Sequence, residues 1–502
     1  MLLLSGPAAA VENPLSAIDW LSQSVTAPTQ ETPGEGILSN SATSEMISVQ
    51  PLGQQNPDAV GLLPASVSGL PTALWGVADS GAVAKAIGAI PPVTLPALAA
   101  LNRTVLLAES EVPEGSDGSL LLARVDKLLE IGALDDALAL LDRAGPTSPA
   151  LFRRWFDVAL LTGTENRACQ VLRQRGDIAP SYQARIFCLA RNGDWNAAAL
   201  TLNSAESLGV LGPDEYALIA RFLDPELFEG DAPMQMPERI TPLVFRMHEA
   251  IGEPLATRDQ PRAFSFADLR QTASWESRII AGERLARVGA ISENRLLGLY
   301  SERPVTKSGG IWDRVVAVQR FEGAVQARDP LVLNESLPQV WDAMKSQGLE
   351  RAFAQLFAEQ LQGMTLQDPA AALVRDIALL SDRYENEAQK TDPINGAEPG
   401  GPEQRFVTAL ALGIPLSAPA PSDRASAVRA GFDGGAVDAK TAENIAQGRF
   451  GQVILGATLA FEQGRQGELT SVTNALRALR EIGLEDSARQ AALQFLLLDG
   501  QG

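Results

Sequence analysis

The chain has 502 residues, enough for two or three domains or for one extended array of repeats. Hydrophobic residues make up 45% of the chain but aromatic residues only 5%, which is typical of close-packed helices and predicts an all-α fold. Lys and Arg number 41 against 61 Asp and Glu, a net charge of −20, so we expect no nucleic-acid partner because phosphate backbones would be repelled.

The first ten residues, MLLLSGPAAA, join a short apolar run to small residues that fit a signal-peptidase site, without a basic start. We interpret residues 1–10 as the remnant of a signal peptide, which places the mature protein in the periplasm or outside the cell. The alternative is an apolar terminus without function on a cytoplasmic protein. No run of about 18 apolar residues follows, so the sequence predicts no membrane-spanning helix.

Residues 11–25 have apolar side chains at helical spacing and predict a short amphipathic helix. Its candidate docking residues are Leu15, Ile18, Trp20, Leu21 and Val25. Residues 26–59 are rich in Ser, Thr, Pro, Gln and Gly, a composition that predicts a disordered linker because too little apolar surface is available for burial. The tethered helix packs on its own body or docks in the groove of a partner, and both alternatives stay open.

Residues 60–117 mix Pro with apolar residues and predict short helices that cap the region that follows. A pattern of the form G-x-x-x-x-A-x-x-x-L then occurs three times, with its glycines 31 and 30 residues apart. The pattern positions are Gly132, Ala137 and Leu141; Gly163, Ala168 and Leu172; and Gly193, Ala198 and Leu202. Each glycine follows a helical apolar pattern, so each motif predicts a tight turn between two helices, with Ala and Leu in the seam.

The repeated hairpins over residues 118–224 resemble the tetratricopeptide-type family of helix-pair repeats, and Gly483 and Ala488 have the same relation near the C-terminus. This resemblance implies a right-handed solenoid of helical hairpins, whose stacked units form one continuous core and present a surface for binding proteins or peptides. We predict a central α-helical region at 225–386, a loop-rich stretch with a short helix at 387–424, and helical hairpins at 425–502.

The chain has two cysteines, and their spacing predicts a disulfide bond. Cys169 lies six residues before Arg175 and Cys188 lies seven residues after Ser181, on consecutive antiparallel helices joined by the turn at 175–181. The two cysteines are therefore at similar heights, which brings their Cα atoms within bridging distance. The alternative is a pair of buried free thiols. Neither cysteine has the histidine partner of a nucleophile, so a structural role is favoured.

The only histidine, His248, has no neighbouring Cys or His, and we interpret it as an ordinary helix residue. The sequence predicts no catalytic, cofactor or metal site. The favoured hypothesis is a non-catalytic scaffold of the cell envelope that binds a protein or peptide of unknown identity. The alternative is a helical enzyme acting on cell-wall glycan through a carboxylate general acid. A remote third hypothesis, ice binding, needs a regular Thr-bearing face that the sequence lacks.

Overall fold

The computed structural model describes residues 56–146, 148–390, 401–414 and 419–498. Helices dominate these residues, and the all-α prediction is confirmed. Within the described ranges the only β-type pairings are two isolated parallel bridges, Leu63 with Ala108 and Asp79 with Glu114. The predicted signal remnant at 1–10, the docking helix at 11–25 and most of the linker lie outside the described residues.

The described chain divides into two compact units. The inserted unit is the continuous segment Thr164–Pro261, and the main unit combines the described residues of 56–163 and 262–498. Each unit has a core of its own.

The first stretch of the main unit contains a 3₁₀ turn at Pro57–Ala59 and six α-helices. They are α1 (Ala65–Ser68), α2 (Ser80–Gly88), α3 (Pro96–Leu107), α4 (Ser119–Ile131), α5 (Leu134–Ala144) and α6 (Pro149–Thr162). The inserted unit contains five α-helices and two 3₁₀ turns, at Gly176–Ile178 and Pro225–Phe228. Its helices are α7 (Glu165–Gln174), α8 (Tyr182–Arg191), α9 (Trp195–Ser207), α10 (Pro213–Leu223) and α11 (Pro242–Ala250).

The second stretch of the main unit begins with a 3₁₀ segment at Arg262–Leu269. Its helices are α12 (Trp275–Ala286), α13 (Glu293–Tyr300), α14 (Ile311–Ala327), α15 (Pro330–Lys345), α16 (Glu350–Leu361), α17 (Ala370–Leu380), α18 (Tyr384–Lys390), α19 (Pro402–Ala411), α20 (Asp423–Phe432), α21 (Ala439–Ala446), α22 (Phe450–Arg465), α23 (Leu469–Glu481) and α24 (Glu485–Leu497). The predicted boundaries at 386/387 and 424/425 fall inside α18 and α20, because Pro- and Gly-rich composition locates a loop better than it locates the ends of helices.

Short polar side chains begin many of these helices. Ser148, Ser181 and Thr241 each accept a hydrogen bond from a backbone N–H in the first turn of the helix that follows. Such caps satisfy amide groups that have no partner within the helix. Proline at the first helical position of α6 and α11 adds to the same signal, since its fixed φ suits a helix start.

Two buried, positively charged side chains connect helix α4 to the rest of the first stretch of the main unit. The guanidinium of Arg124 donates to the carbonyl oxygens of Leu106 at 2.6 Å, Val60 at 2.6 Å and Ala108 at 3.1 Å. Lys127 Nζ donates to the carbonyl of Ile90 at 2.7 Å. These carbonyls lie at or just after helix ends and have no intrahelical donor, so the two side chains satisfy groups that would otherwise be buried without partners.

The described chain starts with an ordered turn rather than with the end of the predicted linker. Asp58 is fully buried, and its carboxylate accepts hydrogen bonds from the backbone N–H of Leu121 at 2.7 Å and of Gly118 at 3.1 Å. Residues 56–59, which the sequence assigns to the linker, therefore belong to the ordered part of the main unit. Composition favoured a linker there, but a single buried carboxylate that satisfies the start of α4 outweighs it.

Helices from the early and the late part of the main unit contact each other. Helix α3 packs against α24 and α22, and α2 also contacts α22. The Gly451 N–H donates to the Leu74 carbonyl at 2.8 Å, and the backbone N–H of Ala97 donates to buried Gln494 at 2.7 Å. A linear solenoid has contacts only between neighbouring repeats, so the closure of this unit on itself is a feature that the repeat pattern did not predict.

Candidate functional site

The three motif glycines lie at helix ends: Gly132 and Gly163 directly follow their helices, and Gly193 follows after one intervening residue. Gly132, Gly163 and Gly193 have φ values of 83°, 79° and 85°, in the left-handed region that favours glycine. Gly132 and Gly193 each separate two helices that contact each other, α4 with α5 and α8 with α9. Gly163 differs, because the boundary between the two units falls directly after it and assigns α6 and α7 to different units.

The seam positions of the motif are buried in their own units. Ala137, Ala168 and Ala198 are completely inaccessible to solvent. The motif leucines, Leu141, Leu172 and Leu202, are also buried. Small and large apolar residues therefore alternate along the packed faces of α5, α7 and α9, as close helix packing requires.

The predicted disulfide is confirmed. Cys169 on α7 and Cys188 on α8 are bonded, with an S–S distance of 2.00 Å and a Cα–Cα distance of 4.8 Å. Both residues are buried, and the side chain of Asn192 donates to the carbonyl oxygen of Cys169 at 3.1 Å. Since the sulfurs are bonded and shielded from solvent, the pair acts as a covalent link between two helices of the inserted unit.

A buried ion cluster links the same two helices to α11. Glu165 Oε1 accepts a hydrogen bond from Arg246 Nη2 at 2.8 Å and lies 3.4 Å from Arg191 Nη2. Burial lowers the pKa of Arg246, but its bonds to Glu165 and Glu249 outweigh burial and raise that pKa above its ordinary value. The charges on Glu165 and Arg246 are thus mutually dependent, and removal of either would leave a buried charge without its partner.

The inserted unit carries an unusual share of the exposed apolar surface. Of twelve large hydrophobic residues that are exposed in the described chain, six lie between positions 195 and 236. These six are Trp195, Leu200, Leu208, Val210, Leu227 and Met236. The sequence pattern does not mark these residues, because exposure of Leu or Val is decided by contacts that a helical period does not specify.

The exposed apolar residues lie within a strongly acidic stretch of chain. Residues 195–238, which we call the acidic-apolar segment, contain eight Asp and Glu residues and one basic residue, Arg221. Arg221 is itself engaged by Glu253, at 3.4 Å, and by the carbonyl oxygen of Ala232, at 3.0 Å. The segment therefore combines large apolar side chains with a net negative charge, a combination that suits a partner with apolar and basic groups.

The only histidine lines a cavity of the inserted unit. The cavity measures about 280 Å³, and His248, Met234, Met236 and Glu253 are among its lining residues. Burial lowers the pKa of His248 below its ordinary value, against the charge of Glu253 and a hydrogen bond to the Glu253 backbone. The Nδ1 atom of His248 is buried and has no hydrogen-bond partner among the described residues.

The general acid of a hydrolase needs a carboxyl group with a raised pKa in a position that substrate can reach. Burial raises the pKa of Asp157 to about 7, against the charges of Arg153 and Arg154. Asp157 is nevertheless buried, lies 3.9 Å from Arg153 Nε, and lines neither the His248 cavity nor a smaller cavity of about 110 Å³ beside Arg375. A general acid must reach its substrate, so Asp157 is not a candidate for that role.

Within the described ranges, no three His, Cys, Asp or Glu side chains are grouped so that they could hold a metal ion. No helix among the described residues is long and apolar enough to span a bilayer. Comparison of the chain with protein-family models, with curated proteins and with solved structures gives no match. The predicted docking residues Leu15, Ile18, Trp20, Leu21 and Val25 lie outside the described residues.

Proposed function

We propose that this protein is a non-catalytic scaffold of the periplasm or cell envelope that binds a protein or peptide through a surface of helical repeats. The contacting hairpins α4–α5 and α8–α9, each with a left-handed glycine after its first helix, support this proposal. In the proposal, residues 118–224 belong to a right-handed, tetratricopeptide-like arrangement.

The observation that carries the proposal is the acidic-apolar segment. The side chain of Leu208 is 67% exposed and that of Leu227 is 72% exposed. Contact of such apolar surface with water is unfavourable in free energy. A partner that covers them with apolar groups recovers that free energy, and the surrounding carboxylates favour a partner that is basic. The proposed ligand is therefore an amphipathic helix or extended segment with Lys or Arg on its polar side.

The disulfide supports the proposed compartment. Structural disulfides persist in the periplasm and outside the cell, whereas cytosolic thiols are kept reduced. The buried Cys169–Cys188 bond is of the structural kind, because it joins two helices and lies away from solvent. The redox chemistry that such a bond needs supports the proposed envelope location.

Binding of defined peptides tests the proposal. Two fluorescent helical peptides share one Leu-rich face, and their polar faces carry Lys in the first peptide and Glu in the second. We expect the basic peptide to raise the fluorescence anisotropy on titration with the protein, with weaker binding at high salt because surface charges are screened. We expect the acidic peptide not to bind.

A matched pair of variants locates the binding surface. Leu200→Ser, Leu208→Ser and Leu227→Ser, combined in one variant, should weaken binding of the basic peptide at least about tenfold, which corresponds to about 1.4 kcal/mol. Leu331→Ser is the control, because Leu331 is 78% exposed but belongs to the main unit. Equal binding of both peptides, or full binding by the triple variant, would refute the proposed surface.

A further inference from the structure

A turn of the inserted unit contains a residue pair that is prone to deamidation. Glycine has no Cβ atom, so the backbone nitrogen of an Asn-Gly pair closes on the asparagine side chain more readily than that of other pairs. The chain has two such pairs. Asn395–Gly396 lies outside the described residues, whereas Asn192–Gly193 lies in the turn between α8 and α9. By sequence alone, Asn192 is therefore the described asparagine that should lose its amide group fastest.

Both cysteines of the disulfide bond hold Asn192. The side-chain Nδ2 of Asn192 donates to the carbonyl oxygen of Cys169 at 3.1 Å, and its backbone N–H donates to the carbonyl oxygen of Cys188 at 3.0 Å. The bond keeps the Cα atoms of the two cysteines 4.8 Å apart. The two acceptors of Asn192, which belong to different helices, are therefore fixed relative to each other by the disulfide bond.

The nitrogen that would attack the side chain is held as well. The Gly193 N–H donates to the carbonyl oxygen of Ala190 at 2.9 Å. Asn192 has φ −82° and ψ 0°, and Gly193 has φ 85°. For ring closure, the Asn192 side chain must leave the Cys169 carbonyl, and the Gly193 nitrogen must leave Ala190 and turn toward the side-chain carbon. The folded hairpin thus holds each reacting group by a hydrogen bond, and deamidation requires that the turn open.

We propose that Asn192 is a modification site whose deamidation is suppressed by the Cys169–Cys188 bond and released when a thiol reductant breaks that bond. Reduction supplies two electrons and two protons and leaves two thiols. The Gly193 nitrogen then forms a bond to Cγ of Asn192, the bond from Cγ to Nδ2 breaks, and the Gly193 proton leaves with Nδ2 as ammonia. Water opens the resulting succinimide and leaves aspartate or isoaspartate at position 192.

The modified residue opposes return to the bonded state. The amide of Asn192 donates to the Cys169 carbonyl, but a carboxylate only accepts hydrogen bonds, so it places an acceptor beside an acceptor. The negative charge makes that contact more repulsive. Isoaspartate also lengthens the main chain by one carbon atom, which shifts the Gly193 N–H relative to Ala190. Deamidation thus turns a reversible loss of the disulfide bond into a change that a thiol oxidant alone does not undo.

Peptide-level mass spectrometry of the full chain tests the proposal. Protein with the bond intact, protein kept reduced, the Cys169→Ala/Cys188→Ala variant and a synthetic peptide of residues 189–198 are incubated at mildly alkaline pH and digested in acid. Deamidation at Asn192 is measured separately from that at Asn395. We expect the intact protein to react at least about tenfold more slowly than the peptide, since the turn must open first. The reduced protein and the double variant should react at least about tenfold faster than the intact protein.

The Asn192→Asp variant tests the return to the bonded state. Wild type and variant are equilibrated in glutathione redox buffers, and the equilibrium constant for formation of the Cys169–Cys188 bond is measured by trapping the free thiols. We expect Asn192→Asp to lower that constant at least about fivefold, because a donor is replaced by a charged acceptor. Asn203→Asp is the matched control. It adds the same charge at an exposed position of the same unit and should change the constant less than about twofold.

Three results would overturn the proposal. The first is an intact protein that deamidates at Asn192 as fast as the peptide. The second is a reduced protein and a double variant that deamidate no faster than the intact protein, and the third is an Asn192→Asp variant that forms the bond as readily as wild type. The first comparison needs no substitution, so the test stays informative even if the double variant does not fold.

Discussion

Removal of the Cys169–Cys188 bond should destabilise the inserted unit by about 3 kcal/mol. The bond closes a loop between residues 19 apart in sequence. For a loop of that size, the bond lowers the conformational entropy of the unfolded chain by about 11 cal/mol/K. At 25 °C this entropy corresponds to about 3 kcal/mol of folding stability, which is lost when the bond is removed. Cys169→Ala/Cys188→Ala is the appropriate variant, because both side chains are buried and alanine adds no polar group.

Hydrogen exchange measured by mass spectrometry reports the loss of stability separately for the inserted unit and the main unit. Peptides from α7 to α9 should exchange about a hundredfold faster in the double variant, since each 1.4 kcal/mol of lost stability increases local opening about tenfold. Peptides from α14 and α15, which belong to the main unit, are the internal control and should keep their rates. Chemically reduced wild-type protein should resemble the variant, which separates loss of the bond from the effect of the two alanines.

Two results would refute this reasoning. Unchanged exchange in α7 to α9 would mean that the unfolded inserted unit is already restrained without the bond. Equal acceleration in both units would mean that the inserted unit does not open independently of the main unit.

Three further predictions concern packing and charge. Ala198→Leu should cost about 1–3 kcal/mol in chemical denaturation because Ala198 is completely buried, whereas Ala199→Leu, at an exposed position, should change stability by less than about 0.5 kcal/mol. Gly451→Ala should lower the thermal midpoint because its Cβ would lie 2.3 Å from the Trp75 ring, while Gly456→Ala in the same helix meets no atom within 4 Å and should not lower it. Asp157 binds its proton more tightly in the folded state, with a pKa of about 7 against an ordinary 3.8, so its contribution to stability is present below about pH 4 and is lost by about pH 7. Asp157→Asn should therefore flatten the pH dependence of unfolding, with a gain on the order of 4 kcal/mol above pH 7 and little change near pH 4; a parallel pH profile for wild type and variant would contradict it.

Local patterns predicted the features that depend on neighbouring residues. The helices follow from apolar residues at intervals of three and four, and glycines such as Gly132 mark helix ends because of their left-handed φ. The disulfide was predictable for the same reason, since Cys169 and Cys188 lie on consecutive helices joined by a short turn. Counting residues outward from that turn was enough to place them at the same height.

Features that depend on distant residues were not predictable in this way. The contact of Trp75 with Gly451 joins positions far apart in the chain, and no local pattern marks either residue as part of a pair. The cavity beside His248 shows the same limit, because it depends on the path of the chain between α10 and α11.

The closure of the main unit has a consequence for the order in which the chain folds. The inserted unit consists of one continuous stretch, so all of its partners are present once residue 261 has been synthesised. The partners of Leu74 and Ala97 come much later, at Gly451 and Gln494. At ordinary rates of translation, about 20–80 s separate the synthesis of these partners, and the early helices have apolar surface uncovered until the later residues are available. The main unit thus has a high contact order and a longer period with its early helices uncovered, whereas the core of the inserted unit needs only residues of one continuous stretch.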